Sequence, residues 1–368
     1  MKITAAVVHR PYAPFTIETF DLCDPRDDEL LVEVVASGMC ATDQHGRDAF
    51  FKLMPFPAVF GHEGAGIVRA VGKAVTRFKP GDHVVMSYPF CGECPNCRTM
   101  RQNYCLSVRE MKNGGTRRDG STLLSQDGKP VYGSFFQQSS FGTFTIASET
   151  FAVKVRNDVP LEWLGPLACG GQTGAGAVLN TMKPAPSDAF VVFGVGAVGL
   201  SGLMAAKIAG CDPIIAVDVH EHRLKLAREL GATHTINHTD RTDVVAAIKT
   251  ITGPGVRYSL ETSALPEVLR EAVEALMPAG TCVLLGSARA ATEVSVEMPF
   301  IQPGRTLRGV VQGDSQPQTF IPRLTDYMAA GQFPIERAIT FYDLADINRA
   351  AEESASGRTI KPVLRMPH

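Results

Sequence analysis

Apolar and polar positions along this chain change rhythm near residue 170. Before that point, short strand-like runs are separated by glycine, proline and aspartate turns. Leu30-Leu31-Val32-Glu33-Val34-Val35-Ala36 and Gly81-Asp82-His83-Val84-Val85-Met86 are the clearest of them. Short apolar runs with such punctuation predict β-strands, so the first 160 residues read as β-rich. From about Gly170, apolar strand-like runs alternate with helical patterns: Ala189 to Phe193, a helix from Gly199 to Gly210, Pro213 to Val217, and a helix from Glu221 to Leu230. Strand-helix-strand alternation predicts a parallel sheet with right-handed crossovers. The alternation weakens beyond Gly304, and Thr359-Ile360-Lys361-Pro362-Val363-Leu364 ends the chain as a strand-like run expected to rejoin the first domain. The predicted class is α/β: a β-rich domain made of residues 1–170 and 311–368, interrupted by a doubly wound parallel-sheet domain at 171–310.

Composition narrows the partners. A chain of 368 residues exceeds the usual size of a single core, in keeping with two domains. Its 45% apolar and 20% charged content, with a net charge of −2, is the balance of a soluble globular protein. There is no basic stripe for a phosphate backbone and no apolar run of about 18 residues to span a bilayer, so nucleic acid and membrane are not expected partners. The start, Met1-Lys2-Ile3-Thr4-Ala5, runs into a strand-like pattern rather than a targeting signal, and the expected location is cytoplasmic. No internal repeat or low-complexity tract suggests a solenoid or a disordered linker.

Nine cysteines are present, four of them between Cys91 and Cys105. Cys91-Gly92-Glu93-Cys94-Pro95-Asn96-Cys97, followed by Cys105, has the spacing that lets one loop wrap a tetrahedral ion. Four thiolates would leave no open position, so a zinc ion held there would be structural; an iron–sulfur cluster also uses four thiolates. Cys23, Cys40, Cys169, Cys211 and Cys282 are scattered, and Cys23, Cys211 and Cys282 are expected to be buried without a special role.

The apolar run Phe190-Val191-Val192-Phe193 leads into Gly194-Val195-Gly196-Ala197-Val198-Gly199 and then a helical pattern. Between a strand and a helix, such glycines allow a tight turn and close approach of a pyrophosphate to the helix N-terminus, which makes Gly194, Gly196, Val198 and Gly199 candidate cofactor contacts. Asp218 closes the next strand at about the 20-residue distance of an acid that binds the adenine-ribose 2′-hydroxyl. Its charge opposes a 2′-phosphate and favours NAD over NADP. Arg223 either stacks on or bonds the adenosine, or belongs to a solvated helix face.

Three more segments carry candidate metal chemistry: Cys40-Ala41-Thr42-Asp43-Gln44-His45, Gly61-His62-Glu63-Gly64-Ala65-Gly66 and Gly165-Pro166-Leu167-Ala168-Cys169-Gly170. In this order, with the cysteine cluster and the glycine turn, they resemble the zinc-containing medium-chain alcohol dehydrogenases over essentially the whole chain. The resemblance implies a GroES-like catalytic domain with a Rossmann domain, NAD, and two zinc ions per subunit. It implies that Cys40, His62 and Cys169 hold the catalytic zinc with a fourth position open, and that Glu63 is the neighbouring acid able to approach the metal. Thr42 matches the hydroxyl that bonds the reacting oxygen, His45 the imidazole that passes its proton toward solvent, and Thr173 a position beside the nicotinamide. Ala41 departs from the family, where many relatives carry a basic residue facing the pyrophosphate; a weaker hold on NAD is expected unless Lys361, a candidate cofactor contact that matches another basic position, supplies that charge.

The runs Gly133 to Gly142 and Leu164 to Gly176 look like aryl-alcohol dehydrogenases of the benzyl alcohol and geraniol type. This implies reversible oxidation of primary aryl or allylic alcohols to aldehydes, with Phe135 lining the substrate cleft and Phe136 and Phe141 either beside it or packed in the core. A thiol-adduct formaldehyde dehydrogenase would share both zinc motifs, but the Phe135-Phe136-Gln137-Gln138 run argues against its basic pocket. A catalytically silent nucleotide-binding relative would not need Cys40, His62 and Cys169 together. Relatives form dimers or tetramers through the edge of the nucleotide domain, here expected in the segment from Val294 to Val310.

Overall fold

The run Leu30 to Ala36 becomes the strand Glu29–Gly38, in which Leu30, Val32, Val34 and Ala36 are fully buried. The computed structural model describes residues 1–50, 52–239 and 243–367. Spatial proximity divides the chain into one unit of Met1–Cys169, Gln316–Ala329 and Ile339–His368, and another of Gly170–Ser315 and Ala330–Ala338.

In the first unit, Glu29–Gly38 is the hub of a seven-stranded sheet. It pairs antiparallel with Glu63–Val71, with Phe144–Ser148 and with the C-terminal Lys361–Arg365. The last pairing sets Val363 opposite Gly38, and Ile339–Asp343 lies parallel beside the terminal strand. A second sheet of the unit contains Lys2–Val8 and Thr16–Leu22. Val32, Val34, Val68, Val84, Met86, Phe60, Phe135 and Phe141 belong to one core. Burying a side chain of this size stabilises by about 1.5–3 kcal/mol, and this apolar face holds the strand ends in place.

In the second unit, six parallel strands run in the order His234–Asn237, Ile214–Asp218, Phe190–Phe193, Val256–Glu261, Leu276–Leu284 and Thr306–Gly309. Every residue of Phe190–Phe193 and Ile214–Asp218 is buried, as a sheet covered on both faces requires. Strand order reverses beside Phe190–Phe193, and ligands bind outside the strand ends at such a switch point. The helix expected from Gly199 begins earlier, as Ala197–Ala209, because Gly196 in extended conformation acts as its N-cap. The strand Thr306–Gly309 continues the parallel order past Gly304, where the sequence pattern had weakened. Two segments expected in the first domain pack with the second unit instead. Ser315 bonds Gln172, and Arg337 in the Ala330–Ala338 segment pairs with Glu229. Their polar anchors carry no signal in the hydrophobic pattern.

Candidate functional site

Three strand and helix ends of the first unit converge on one cluster. Cys40 is the N-cap of the helix Ala41–Arg47, just beyond Glu29–Gly38; His62 and Glu63 open the strand Glu63–Val71; Cys169 follows the turn Gly165–Ala168. One ligand atom from each of Cys40, His62, Glu63 and Cys169 lies within 4.8 Å of all the others.

Asp43 builds this cluster, and the sequence reading missed it. Its carboxylate accepts from the Cys40 amide at 2.9 Å and the Gly61 amide at 3.1 Å, and it bonds His62 Nδ1 at 2.8 Å with both side chains fully buried. The signal was present as an acid three residues after a helix N-cap, the spacing of a capping box. Burial disfavours charge on His62, but Asp43 outweighs it and carries the imidazole up to about 10. The same contact keeps a proton on Nδ1 and leaves Nε2 as the donor atom. His62 Nε2 is buried and has no hydrogen-bond partner among the described residues. A metal ion at Nε2 takes the place of the second proton, and this orphaned atom beside two thiols fits zinc. The Cys40 thiol is held well below its ordinary value by its hydrogen bond with Cys169, then by His62 and Lys361, and so favours the thiolate that a metal needs.

Gln138, also missed, fastens the strand on both sides of the ligand. Its amide donates to the His62 carbonyl at 3.0 Å and the Met86 carbonyl at 2.9 Å, and its oxygen accepts from the Gly64 amide at 3.1 Å. Phe135 is fully buried, with its ring edge-on to His62 at 5.8 Å, whereas Phe136 lies over His62 at 4.4 Å. Phe141 packs in the core at 6.0 Å from Phe15.

Thr42 and His45 occupy one face of the helix Ala41–Arg47, and the Thr42 hydroxyl stands 3.8 Å from Cys40 Sγ. The His45 ring stacks on Phe50 at 4.5 Å. Lys361 departs from the role expected of it. Rather than standing free for a pyrophosphate, its buried ammonium spends three donors on Glu63 Oε1 at 3.0 Å, Glu63 Oε2 at 2.8 Å and the Met39 carbonyl at 3.2 Å. Burial works against the Lys361 charge and Glu63 overrides it. The cause is register: Gly38 pairs with Glu63 on one side and Val363 on the other, which brings Glu63 and Lys361 together across the shared strand.

The other cysteine cluster is closed. Ligand atoms of Cys91, Cys94, Cys97 and Cys105 also lie within 4.8 Å of one another. The Cys91 amide donates to Cys105 Sγ at 3.2 Å and the Cys94 amide to Cys91 Sγ at 3.3 Å. Backbone amides of Leu106 and Cys97 bring the Cys94 thiol down to about 6, while burial pushes Cys97 up to about 12. Amides aimed at sulfur stabilise thiolate, and a soft four-sulfur set suits zinc. Of the scattered thiols, Cys211 and Cys282 are buried as expected. Cys23 is half-exposed and accepts from the Arg117 guanidinium at 3.3 Å.

In the second unit, a cavity of about 370 Å³ is lined by Gly194, Gly196, Asp218, His220, Arg223 and Thr262 among others. Gly194 has φ +85, and a methyl group built on Gly196 would meet nothing within 4 Å, so the turn leaves room for a pyrophosphate at the N-terminus of Ala197–Ala209. Asp218 accepts from the Val195 amide at 2.7 Å through Oδ2 and from the His220 amide at 2.9 Å through Oδ1. Arg223 stands 3.9 Å from its carboxylate. Each Asp218 oxygen retains acceptor capacity for a ribose hydroxyl. Val198 sits in the first turn of the helix and Gly199 is buried behind it. Thr173 does not line the cavity; its hydroxyl bonds Gln312 at 3.4 Å.

Comparison with known proteins agrees with both units. The model of the alcohol dehydrogenase GroES-like domain matches residues 26–157, and that of the zinc-binding dehydrogenases matches residues 197–329. A geraniol dehydrogenase of Castellaniella defragrans is 42% identical over 98% of this chain and 96% of its own. The crystal structure of an alcohol dehydrogenase zinc-binding domain protein from Burkholderia ambifaria superposes with a TM-score of 0.97 at 48% identity, covering 100% of both chains. That of benzyl alcohol dehydrogenase from Acinetobacter calcoaceticus does so with a TM-score of 0.95 at 43% identity, again over 100% of both. With thiols and an imidazole gathered at one centre and a glycine-turn cavity in a parallel sheet, this chain belongs to the zinc-containing medium-chain alcohol dehydrogenases, oxidoreductases that work with zinc and NAD.

Proposed function

We propose that this enzyme oxidises primary aryl or allylic alcohols, of the benzyl alcohol or geraniol kind, to aldehydes with reduction of NAD, and that the reaction is reversible. The observation that carries the reading is the buried, unpartnered Nε2 of His62 lying under the Phe136 ring, with Phe135 edge-on behind it. An aromatic wall at the reacting end suits a flat unsaturated alcohol by stacking and by excluding water. The geraniol and benzyl alcohol dehydrogenases to which the chain is similar support the same substrate class.

Cys40, His62 and Cys169 would hold a catalytic zinc, with Glu63 as the neighbouring acid, and Cys91, Cys94, Cys97 and Cys105 a structural one, giving two per chain. When bound, the catalytic ion acts as a Lewis acid that makes the alcohol proton easier to lose. Thr42 positions the substrate oxygen through its hydroxyl, and His45 on the same helix face carries the proton outward. Asp218 holds the adenine ribose, and Gly194, Gly196, Val198 and Gly199 admit the pyrophosphate. Arg223 flanks the adenosine, and Thr173 is assigned a place near the nicotinamide. Lys361 acts through Glu63 rather than on the pyrophosphate. Catalysis is assigned to the unit of Met1–Cys169, Gln316–Ala329 and Ile339–His368, and cofactor binding to that of Gly170–Ser315 and Ala330–Ala338. Among the described residues no helix is long and apolar enough to cross a membrane, and a cytoplasmic place is part of this proposal.

Homo-oligomerisation is also proposed. Thr306–Gly309 is an edge strand exposed along its length, with Met298 84% exposed nearby in sequence, and an open strand edge invites pairing with a second copy. Light scattering reporting a monomer would refute this. The functional reading is tested by NAD reduction across benzyl, cinnamyl, geranyl, ethyl and secondary alcohols. The unsaturated primary alcohols should exceed ethanol in kcat/KM by at least about tenfold. Equal constants, or a preference for secondary alcohols, would overturn it.

A further inference from the structure

Among the described residues Lys112 has no counterion. It lies in the last turn of the helix Val108–Asn113 and is mostly buried. Its Nζ stands 5.0 Å from the centroid of the Phe136 ring and 5.7 Å from that of Tyr88. That same Phe136 ring lies on His62, centroid to centroid 4.4 Å. Gln137 pins the surrounding chain by donating to the Met111 carbonyl at 3.0 Å and the Thr116 carbonyl at 2.9 Å, so the lysine is carried on a braced segment.

Neighbouring cations meet acids. Arg117 grips both oxygens of Glu29 at 2.7 Å, and Arg118 reaches Glu93 at 2.7 Å. Among the described residues no ion pair includes Lys112. Ring faces attract an ammonium weakly compared with the cost of taking it out of water. Burial pushes Lys112 down to about 8 and the thiols of Cys169 and Cys105 oppose that, so at neutral pH it remains charged. An uncompensated charge, one phenyl ring from a candidate metal ligand, marks a place where a ligand completes the pairing.

We propose that Lys112 is a specificity-determining residue of the alcohol pocket, selecting aromatic alcohols that carry an anionic oxygen, a carboxylate or phenolate, at the end of the ring remote from the reacting hydroxyl. The inference rests on the proposed reading that the substrate hydroxyl sits at His62. With the hydroxyl there and the ring along Phe136, the far substituent points toward the ammonium, where a carboxylate gains a charge-assisted hydrogen bond and a cationic substituent is repelled.

The test compares para-carboxybenzyl alcohol with para-aminomethylbenzyl alcohol at neutral pH in the zinc-loaded enzyme, in Lys112→Met and in Lys112→Arg. Wild type should favour the anion over the cation in kcat/KM. The anion-to-cation ratio should fall at least about tenfold in Lys112→Met and be largely restored in Lys112→Arg, a pattern of charge sign that a merely structural lysine does not produce. Calorimetric binding of the carboxylate should weaken by a similar factor in Lys112→Met. Equal constants for anion and cation in the wild type overturn the proposal whatever the variants do. Turnover of benzyl alcohol with a ratio unmoved by Lys112→Met removes Lys112 and leaves the alcohol reading standing. Absence of turnover on every alcohol, with carboxylate binding still lost in Lys112→Met, removes the alcohol reading and keeps the anion site.

Discussion

Asp43→Asn should loosen the catalytic metal while leaving the fold nearly intact. The carboxylate accepts from the Cys40 amide at 2.9 Å and the Gly61 amide at 3.1 Å and bonds His62 Nδ1 at 2.8 Å, all in a fully buried setting. A side-chain amide cannot satisfy these partners in either orientation. With its oxygen on Gly61 and His62, the new amino group meets the Cys40 N–H; flipped, it meets the Gly61 N–H and the proton on His62 Nδ1. Either way at least one buried donor is left unpaired, at a cost of about 1–3 kcal/mol, and the negative charge that polarises His62 is lost. Taking about 2 kcal/mol, and assigning most of it to the metal-competent arrangement, zinc affinity falls about thirtyfold, inside the range of about 10–100-fold found for partners that orient a ligand histidine. The assay is competition against a graded series of chelators with zinc counted per chain: one zinc should leave at lower chelator strength than in wild type, and the other, at the four-cysteine site, should be unmoved. NAD binding should be unchanged, since the dinucleotide cavity belongs to the second unit. Zinc retention equal to wild type would refute the reasoning, as would parallel loss of both zincs, which would mean that Asp43 acts on the fold rather than on His62.

Replacing Asp218 with alanine should weaken NAD use and improve NADP use, read as the ratio of kcat/KM for the two cofactors, because a 2′-phosphate is no longer repelled and the positive charge of Arg223, 3.9 Å from the carboxylate, attracts it. An unchanged ratio would sink that assignment. Cys94→Ser should lower the melting temperature and the zinc content more than the turnover of surviving molecules, since the four-sulfur site is closed; full stability with lost turnover would contradict it. His45→Gln should slow alcohol oxidation most at low pH and be partly rescued by added imidazole, whereas Thr42→Ala should lose turnover that no buffer base restores. Equal, unrescued losses in the two variants would remove the proton path.

The parallel-sheet half was legible because a doubly covered sheet needs continuous apolar strands, and Phe190–Phe193 and Ile214–Asp218 are buried at every position. The β-rich half was legible in outline through Glu29–Gly38, a short apolar run that forms a largely buried strand. The expected first-domain membership of Val311–Ser315 and Ala330–Ala338 ran against what the structure shows. Ser315 is held to Gln172 and Arg337 to Glu229 by polar contacts, and such contacts leave no periodic trace. The roles of Asp43, Gln138 and Lys112 were missed for a related reason: each depends on what faces the side chain rather than on its neighbours in sequence.

What the sequence by itself determined is what one loop or one turn can assemble. Cys91, Cys94, Cys97 and Cys105 are gathered by local chain reversal, and Gly194 through Gly199 form a turn between a strand and its helix, so spacing alone identifies both. Only the tertiary structure decided how distant segments meet. Cys40, His62 and Cys169 converge because strand and helix ends are stacked by the core, and Lys361 belongs to Glu63 because both strands pair with Glu29–Gly38. A shift of one residue in either pairing would turn those side chains to the opposite face of the sheet, and register is set by burial of the whole strand rather than by the residues that do the chemistry.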